Sequence, residues 1–293
     1  MLPRVSADWR AVLWVLVLMP AAAIAQYLRP GLALWMLPVS MYLAYSAGVL
    51  AHNHNHCPVF TNRRANAVYS SVISFFYGYP TFGWIPTHNE NHHRYVNREG
   101  DVTATWRHTR RNNAWTAFAY FFYSAAWQAP LIAAYLRRVR RHSTKAWAWL
   151  LGQYVIVFGG HLLALLLALR LYGPKTGTVV YLSALGIPAL GALWGLMFTN
   201  YVQHVDCDES SKWNHSRNFV SPWMNFLVFD NGYHTVHHQS ARLHWADARA
   251  AHEAVADKID PALNESSIPG YCWKTYVLGK RGESRSVEAA VGH

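Results

Sequence analysis

Four long apolar stretches dominate the pattern of hydrophobic and polar positions along the chain. They cover residues 11–28, 32–51, 147–169 and 178–199. Each is close to the roughly 20 residues that an α-helix needs to cross a bilayer. Short turn sequences containing Gly and Pro, at residues 29–31 and 173–177, separate the members of each pair. The pattern therefore predicts four transmembrane helices that form two antiparallel hairpins.

The first apolar stretch has a second interpretation. Arg4 and Arg10 precede it, and Ala23-Ile24-Ala25 resembles the small-residue cleavage site of a secretory signal peptide. The second apolar stretch follows almost at once. A hairpin of two membrane helices therefore accounts for both stretches more simply than a cleaved leader does.

Composition favours a membrane protein. The chain is 52% hydrophobic and only 14% charged, whereas soluble domains carry about 25% charged residues. Its 14 Trp and 17 Tyr suit a protein with two membrane–water interfaces to line. These values argue against a disordered chain, a collagen-like chain and an ordinary soluble enzyme. Three scattered cysteines are too few for a disulfide framework or an iron–sulfur cluster.

Charge predicts the orientation of the helices. Residues 52–145 contain 12 Lys or Arg and 3 Asp or Glu, while the short turns hold only Arg29, Arg170 and Lys175. By the positive-inside rule the basic block lies in the cytoplasm. We therefore predict a single domain, residues 1–293, with a cytoplasmic helical cap formed by residues 52–146 and 200–293. The net charge of +11 needs no nucleic-acid partner, because membrane orientation explains it.

Histidine is the unusual residue of this chain. There are 17 histidines against 15 carboxylate residues, and most of them fall in tight groups within the polar blocks. Residues three or four apart share one face of a helix, so such pairs can bind one ion. Nine histidines exceed the needs of one zinc ion and fit two ions better. The candidate ligands are His52, His56, His88, His92, His93, His204, His234, His237 and His238.

Two further points follow from the histidine spacing. Adjacent His92 and His93 point in different directions, which suits two metals. His54 lies off the face shared by His52 and His56, so it is a weaker candidate. A storage tract would be one contiguous run, unlike this pattern. A zinc-dependent membrane hydrolase and a non-catalytic metal carrier remain alternative interpretations.

The ordered set HxxxH, HxxxHH and HxxHH resembles the three histidine boxes of the membrane fatty-acid desaturase/hydroxylase superfamily, to which alkane hydroxylases are related. The resemblance extends from His52 to Trp245. It implies that the nine histidines bind two iron ions and that Asn200, four residues before His204, lies near one iron through water. The extra His54 departs from the usual first box. Residues 232–238 read like the third box of acyl desaturases, whereas the region of His204 reads partly like alkane hydroxylases.

Two further apolar segments could cross the membrane or lie along it, and a single dimetal site constrains which they do. Residues 67–87 and 113–136 are interrupted by Pro, Gly or Gln. If either crossed the membrane alone, the histidine boxes would lie on opposite sides. We therefore predict that both segments lie in the interface or re-enter without crossing, where their aromatic residues are favourable.

The resemblance also implies the chemistry. Cleaving an unactivated C–H bond needs a strong oxidant made from O₂ and electrons, so we expect two iron ions, O₂ as co-substrate and no bound organic cofactor. An apolar channel between the helices would hold the alkyl or acyl chain. Its candidate wall residues are Trp84, Trp194 and Tyr201. Glu90, Asp101 and Asp230 are candidates to orient the histidines from behind, with Asp206 and Asp208 also available.

The expected partners are a lipid substrate and a separate electron donor. The chain has no haem-binding domain or dinucleotide motif, so a ferredoxin, rubredoxin or cytochrome b5-like protein with its reductase is implied. The basic run 137–145 could bind headgroups, an acyl carrier or an acidic redox partner, or could simply follow the positive-inside rule. We expect a bacterial inner-membrane protein with its metal site on the cytoplasmic face. Acyl desaturation is the leading interpretation, and hydroxylation of an alkane, fatty acid or terpenoid chain is the alternative.

Overall fold

The computed structural model describes residues 2–280, so residues 281–293 of the predicted cap lie outside the described residues. Within that range three helical stretches are long and apolar enough to cross a membrane. They are Asp8–Leu28, Pro30–His56 and Thr144–His204. The protein is a mostly helical membrane protein, as its hydrophobic pattern predicts. The strands of the described range are the two-residue segments Asn218–Phe219 and Asn264–Glu265, which pair in parallel.

The third stretch contains both the predicted third and fourth apolar segments. Its 61 residues are interrupted at Gly173, whose φ of 74° and ψ of 175° are not helical. Pro174 follows at once. Gly177 then packs so closely on Ala168 that a Cβ at this position would clash with the Ala168 carbonyl. Because residues nine apart in a straight helix are more than 13 Å from each other, the chain reverses direction here.

The described chain divides into two compact units. The first contains the described residues up to 86 together with residues 131–196, and the second contains residues 87–130 and 197–280. The first unit therefore holds the apolar helices except residues 197–204, and it also holds residues 52–86 and 131–146 of the predicted cap.

Polar side chains within the first unit bond to neighbouring helices. Gln26 is fully buried, and its amide donates to the Ser40 hydroxyl over 2.8 Å. Tyr27 donates to the carbonyl of Ala164. His161 lies 3.0 Å from the carbonyl of Phe75 through its Nε2 atom. A buried polar group without such a partner would cost free energy in an apolar environment, so these bonds define how the helices pack.

A 15-residue helix, Arg63–Tyr77, follows the second membrane helix. The Asn62 side chain caps its first turn by accepting from the N–H groups of Arg64 and Ala65. The helix ends at Gly78, whose φ of 83° is the left-handed conformation that glycine adopts most readily. At 15 residues it is too short to span a bilayer.

Short helices and loops build the second unit. A helical segment at residues 85–95 leads into it, with π geometry over Ile85–His92 and α geometry over His93–Tyr95. The later helices are Pro222–Leu227, His234–Gln239, Ala248–Glu253 and Ile268–Cys272, the last continuing as Trp273–Val277. Short 3-10 turns of this unit lie at Trp245–Asp247, Ala256–Lys258 and Pro261–Leu263, and another, Thr81–Gly83, belongs to the first unit.

The helix Ala114–His142 has an inverted distribution of polar and apolar residues over its first half. Thr116, Tyr120 and Ser124 are buried, whereas Trp115 and Phe118 are exposed. A helix on the surface of a soluble protein shows the opposite arrangement. This helix is not among the three candidate spans of the described chain. Its predicted location in the membrane interface stays a prediction.

Candidate metal centre

The first histidine box occupies the last turn of the helix Pro30–His56 in the first unit. His52 and His56 are four residues apart, and their ring centroids are 4.9 Å apart. Trp84 packs edge-on against His52 at 5.5 Å between ring centroids. His54 faces elsewhere: its Nδ1 accepts from the N–H of Val59 over 3.2 Å. His54 therefore has a structural partner, in accordance with its lower rank as a ligand.

The second box lies in the π-helical segment, and this geometry decides how its histidines are grouped. A π-helix forms hydrogen bonds between residues five apart instead of four. His88 therefore faces His93, and their Nε2 atoms are 3.1 Å apart. His92 points into a different cluster. The spacing had favoured a pair of His88 and His92, but the separate directions predicted for His92 and His93 agree with the structure.

Three imidazoles of the second unit converge in what we call the three-histidine cluster. The Nε2 atom of His93 is 2.9 Å from that of His237, and the Nε2 atoms of His237 and His88 are 3.4 Å apart. His88 and His93 come from the second box and His237 from the third. The cluster therefore joins residues that are about 150 positions apart in the chain.

A second group, the four-histidine cluster, lies in the same unit. It consists of His92, His204, His234 and His238, whose ligand atoms all lie within 4.8 Å of one another. The Nε2 atoms of His204 and His234 are 2.9 Å apart, and that of His238 is 3.1 Å from His234. His92, His204 and His234 are almost completely buried.

The distances within both clusters fit metal coordination. Metal–nitrogen bonds of about 2.1 Å place two ligands of one ion about 3.0–3.4 Å apart for bond angles between 90° and the tetrahedral value. A neutral imidazole donates from only one of its nitrogens, so hydrogen bonds alone cannot pair all these convergent atoms. The Nε2 atom of His92 is buried without a hydrogen-bond partner among the described residues. A metal ion in each cluster would satisfy these nitrogens.

Asp101 orients His92 from behind. Its Oδ2 atom is 2.7 Å from His92 Nδ1, and neither side chain is measurably exposed to solvent. Asp101 also accepts from the backbone N–H groups of Asn97 and Thr103 and from the Thr103 hydroxyl. With the Nδ1 proton directed at Asp101, the Nε2 lone pair of His92 is free to bind a metal.

The protonation states are those that metal binding requires. Burial alone would raise the pKa of Asp101, but the His92 ring and the Thr103 hydrogen bonds hold that pKa well below its ordinary value. Burial and the neighbouring His234 ring hold the pKa of His238 well below its ordinary value. Near neutral pH Asp101 is therefore a carboxylate and His238 a neutral ring.

A loop after the last membrane helix orients His204. His204 Nδ1 lies 3.1 Å from the carbonyl oxygen of His215. The His215 ring itself packs on His238 with a centroid distance of 5.3 Å. Burial and the proximity of His92 lower the pKa of His215 to about 4. His215 thus stands beside the four-histidine cluster as a neutral ring.

A tight turn positions the third box. Gly232 donates its N–H to the Asn225 side chain and accepts from the N–H of Phe219. A Cβ on Gly232 would clash with the Phe219 carbonyl and with Asn225 Oδ1. Thr235 donates its N–H to the side chain of Asn218 over 2.9 Å. These contacts fix the start of the helix His234–Gln239.

Asn200 has a defined partner one turn before His204. Its amide donates to the Tyr120 hydroxyl over 2.9 Å, and that hydroxyl donates to the carbonyl of Thr103. Thr103 in turn contacts His92 Nδ1 through its hydroxyl at 3.0 Å. A chain of hydrogen bonds therefore connects Asn200 to a residue of the four-histidine cluster.

The remaining candidate residues occupy varied positions. Glu90 is exposed, and Asp230 is half-buried in the turn before the third box. Tyr201 is fully buried, and its ring packs on Tyr120 at 5.1 Å. Trp194 is half-buried in the first unit. The roles predicted for these four residues stay predictions.

A comparison with protein-family models shows the family to which the chain belongs. A model described as fatty acid desaturase matches residues 30–266, which is most of the chain and includes all nine candidate histidines. The chain belongs to the fatty acid desaturase family. No curated protein and no solved structure matches this desaturase family member. Family membership implies an oxidoreductase that acts on a lipid or acyl substrate in a membrane.

Sequence reasoning missed several residues of this desaturase site. Thr103 supports Asp101 and His92, Tyr120 supports Asn200, and His215 supports His204. The spacing of Asp101 and Thr103 is a usable signal, because an Asp side chain often accepts from the N–H two residues later. His215 acts through its backbone carbonyl, and no residue pattern reports such a contact.

Proposed function

We propose that this protein desaturates a fatty acyl chain by means of two iron ions and O₂. The observation that carries the proposal is the convergence of seven buried or half-buried imidazoles into two clusters in a membrane protein of the desaturase family. One ion would be held by His92, His204, His234 and His238. The other would be held by the three-histidine cluster. The resemblance also implies that His52 and His56 are iron ligands.

Two clusters of imidazoles exceed the three protein ligands of a typical hydrolytic zinc site, and this supports iron used for oxidation. Bound iron would supply the O₂-dependent oxidation of an unactivated C–H bond. In a desaturation, two hydrogen atoms leave adjacent carbons and a C=C bond forms. These two hydrogens, with two electrons and two protons from a donor, reduce O₂ to two waters.

The residues of this chain hold and orient the reacting groups. Asp101 keeps the Nδ1 proton of His92 on the side away from the cluster. The apolar helices would bind the alkyl chain and exclude water, with about 0.8 kcal/mol gained for each buried CH₂. Trp84, Trp194 and Tyr201 are proposed as walls of this channel. Asn200, held by Tyr120, is proposed to contact an ion through water.

The location follows from charge and helix count. We propose four membrane crossings in two hairpins, because the stretch Thr144–His204 turns back at Gly173. By the positive-inside rule the histidine clusters would then lie on the cytoplasmic face, and we propose a bacterial inner membrane as the location. Electrons would come from a separate ferredoxin, rubredoxin or cytochrome b5-like donor.

The test combines metal analysis with lipid mass spectrometry. Purified protein should contain two irons per chain, and with a supplied donor and reductase it should remove two hydrogens from an acyl substrate. The variant His237→Ala should lose turnover, whereas His142→Ala, a change at an exposed histidine, should retain it. Gain of one oxygen atom would indicate hydroxylation instead. Zinc that survives iron chelation, with no oxidised lipid, would contradict both.

A further inference from the structure

Two short helices late in the chain carry large apolar side chains on their outer sides. Trp223 and Phe226, on the helix Pro222–Leu227, are 57% and 53% exposed. Trp273 and Val277, at the end of the described chain, are 60% and 61% exposed. All four belong to the second unit, which had been predicted to be a polar cap. Isolated apolar residues on a surface are ordinary, but several large ones on the packed helices of one unit make a candidate interaction site.

The exposed residues share a side because their spacing is helical. Trp223 and Phe226 are three apart, and Trp273 and Val277 are four apart. The opposite sides face inward: Met224 and Asn225 are buried on the first helix, and Tyr271 and Thr275 on the second. Each helix is therefore held by its inner side and presents an apolar outer side.

Hydrogen bonds connect these helices to each other and to the start of the helix Ala114–His142, whose first half buries polar residues and exposes apolar ones. The N–H of Ile268 lies 3.4 Å from the sulfur of Met224. Asn112, two residues before the helix Ala114–His142, contacts the hydroxyls of both Tyr271 and Tyr276. Three segments distant in sequence thus belong to one packed group. We call their exposed residues the aromatic surface: Trp115, Phe118, Trp223, Phe226, Trp273 and Val277.

Basic residues border the aromatic surface. Arg107, Arg110 and Arg111 precede Asn112, and all three are exposed. Arg107 stacks on Trp127 and Arg110 on Trp106. Aromatic side chains beside Arg or Lys are the composition of segments that lie in the membrane–water interface, where the rings enter the acyl boundary and the cations meet anionic headgroups.

We propose that the aromatic surface is inserted in the interfacial layer of the bilayer, as a membrane contact separate from the spanning helices. This inference goes beyond the proposed function, because it does not depend on metal or substrate. The bilayer is the occupant that fits, since the surface is both apolar and bordered by cations and since the same chain is already anchored in a membrane. The helix Pro222–Leu227 and residues 268–277 are then membrane-bound elements and not parts of a purely aqueous cap.

The test places a photoreactive residue on the surface of the full-length protein. p-Benzoylphenylalanine replaces Phe226 or Val277, and the protein is reconstituted in vesicles of phosphatidylethanolamine and phosphatidylglycerol. The matched control replaces Glu253, which is exposed in the same unit. Replacement of Trp35, 84% exposed on the second membrane helix, is the reference for lipid contact. Adducts are identified by mass spectrometry after irradiation.

We expect about ten-fold more phospholipid adduct at positions 226 and 277 than at position 253, approaching the value at position 35. The result should be the same in metal-free protein, so a failure of the proposed catalysis would leave this test unaffected. Equal adduct formation at positions 226, 277 and 253 would overturn the proposal. Cross-linking of positions 226 and 277 to protein, including a second copy of this chain, would also overturn it.

Discussion

At the scale of single residues, the hydrogen-bond partner of one imidazole nitrogen leaves the other nitrogen of the ring available to a metal. His92 directs Nδ1 at the Asp101 carboxylate, and His204 directs Nδ1 at the His215 carbonyl. Both rings therefore present Nε2 to the four-histidine cluster. Partners of this kind fix the tautomer and orientation of a metal ligand. Their loss weakens metal binding by roughly 10- to 100-fold in known sites.

Removing the charge of Asp101 tests this arrangement. Asp101→Asn should lower iron affinity by about 10- to 100-fold, because a neutral amide stabilises the Nδ1 proton of His92 less than a carboxylate does. Iron content after equilibrium dialysis at graded iron concentrations measures the effect. Glu99→Gln is the matched control, since Glu99 is exposed on the same loop. Equal iron affinity in the two variants would contradict the role of Asp101.

His252 predicts a pH dependence of stability. Burial lowers its pKa below the ordinary value, and its ring packs on Tyr233 at 5.0 Å. Between the folded pKa and about 6.5 the unfolded chain binds more protons, so stability falls as pH falls through this range. Thermal unfolding at pH 7.5 and 5.5 should show a smaller loss for His252→Phe than for the wild-type protein. An unchanged or larger loss in the variant would contradict the prediction.

At the scale of elements, the π-helix Ile85–His92 and the turn before the third box allocate histidines to their clusters. The π geometry rotates His93 toward His88 and leaves His92 for the other group. At the third box, Gly232 lets the chain pass directly over the strand residue Phe219. Small changes of backbone geometry at these places would move entire sets of ligands.

Adding one methyl group at Gly232 tests the turn. Gly232→Ala should destabilise the protein by about 1–3 kcal/mol, because the new Cβ overlaps a backbone carbonyl that cannot move freely. Thermal unfolding in detergent measures the change, and iron content should fall with it. Gly152→Ala is the control: its Cβ meets no atom within 4 Å. A Gly232→Ala protein as stable as Gly152→Ala would refute the packing argument.

At the scale of the whole molecule, the histidine boxes must share one side of the membrane if they bind one dimetal centre. Arg63–Tyr77 lies between the first two boxes, and Ala114–His142 lies between the second box and His204. Neither is among the three candidate spans of the described residues, so neither adds a candidate crossing between boxes. In the four-crossing topology that we propose, the turn at Gly173 would supply the even number of crossings that the third box requires.

Accessibility labelling tests this topology. In a variant without the three native cysteines, Cys at positions 90 and 108 should react with a membrane-impermeant thiol reagent only from the cytoplasmic side. Lys175→Cys, in the turn between the proposed third and fourth crossings, should react only from the opposite side. Both wild-type residues at positions 90 and 108 are exposed. Labelling of all three positions from one side would exclude four crossings.

Local features of the chain could be predicted from the residue order. The length of the apolar segments, the break at Gly173 and the three histidine boxes depend on neighbours in sequence, and the structure and the family match agree with them. Spacing also puts His52 and His56 on one helix face, and their rings are 4.9 Å apart. For His88 spacing favoured His92, whereas the π-helix turns His88 toward His93.

Contacts between distant residues could not be predicted in this way. Tertiary packing assigns His92 to His204, His234 and His238, and it selects buried Asp101 over exposed Glu90 as the partner of His92. It also leaves Trp223 and Trp273 exposed in the second unit. The physical reason is that burial and hydrogen-bond pairing depend on which segments meet in space. A linear pattern describes which side chains share a helix face, but not which partner faces them.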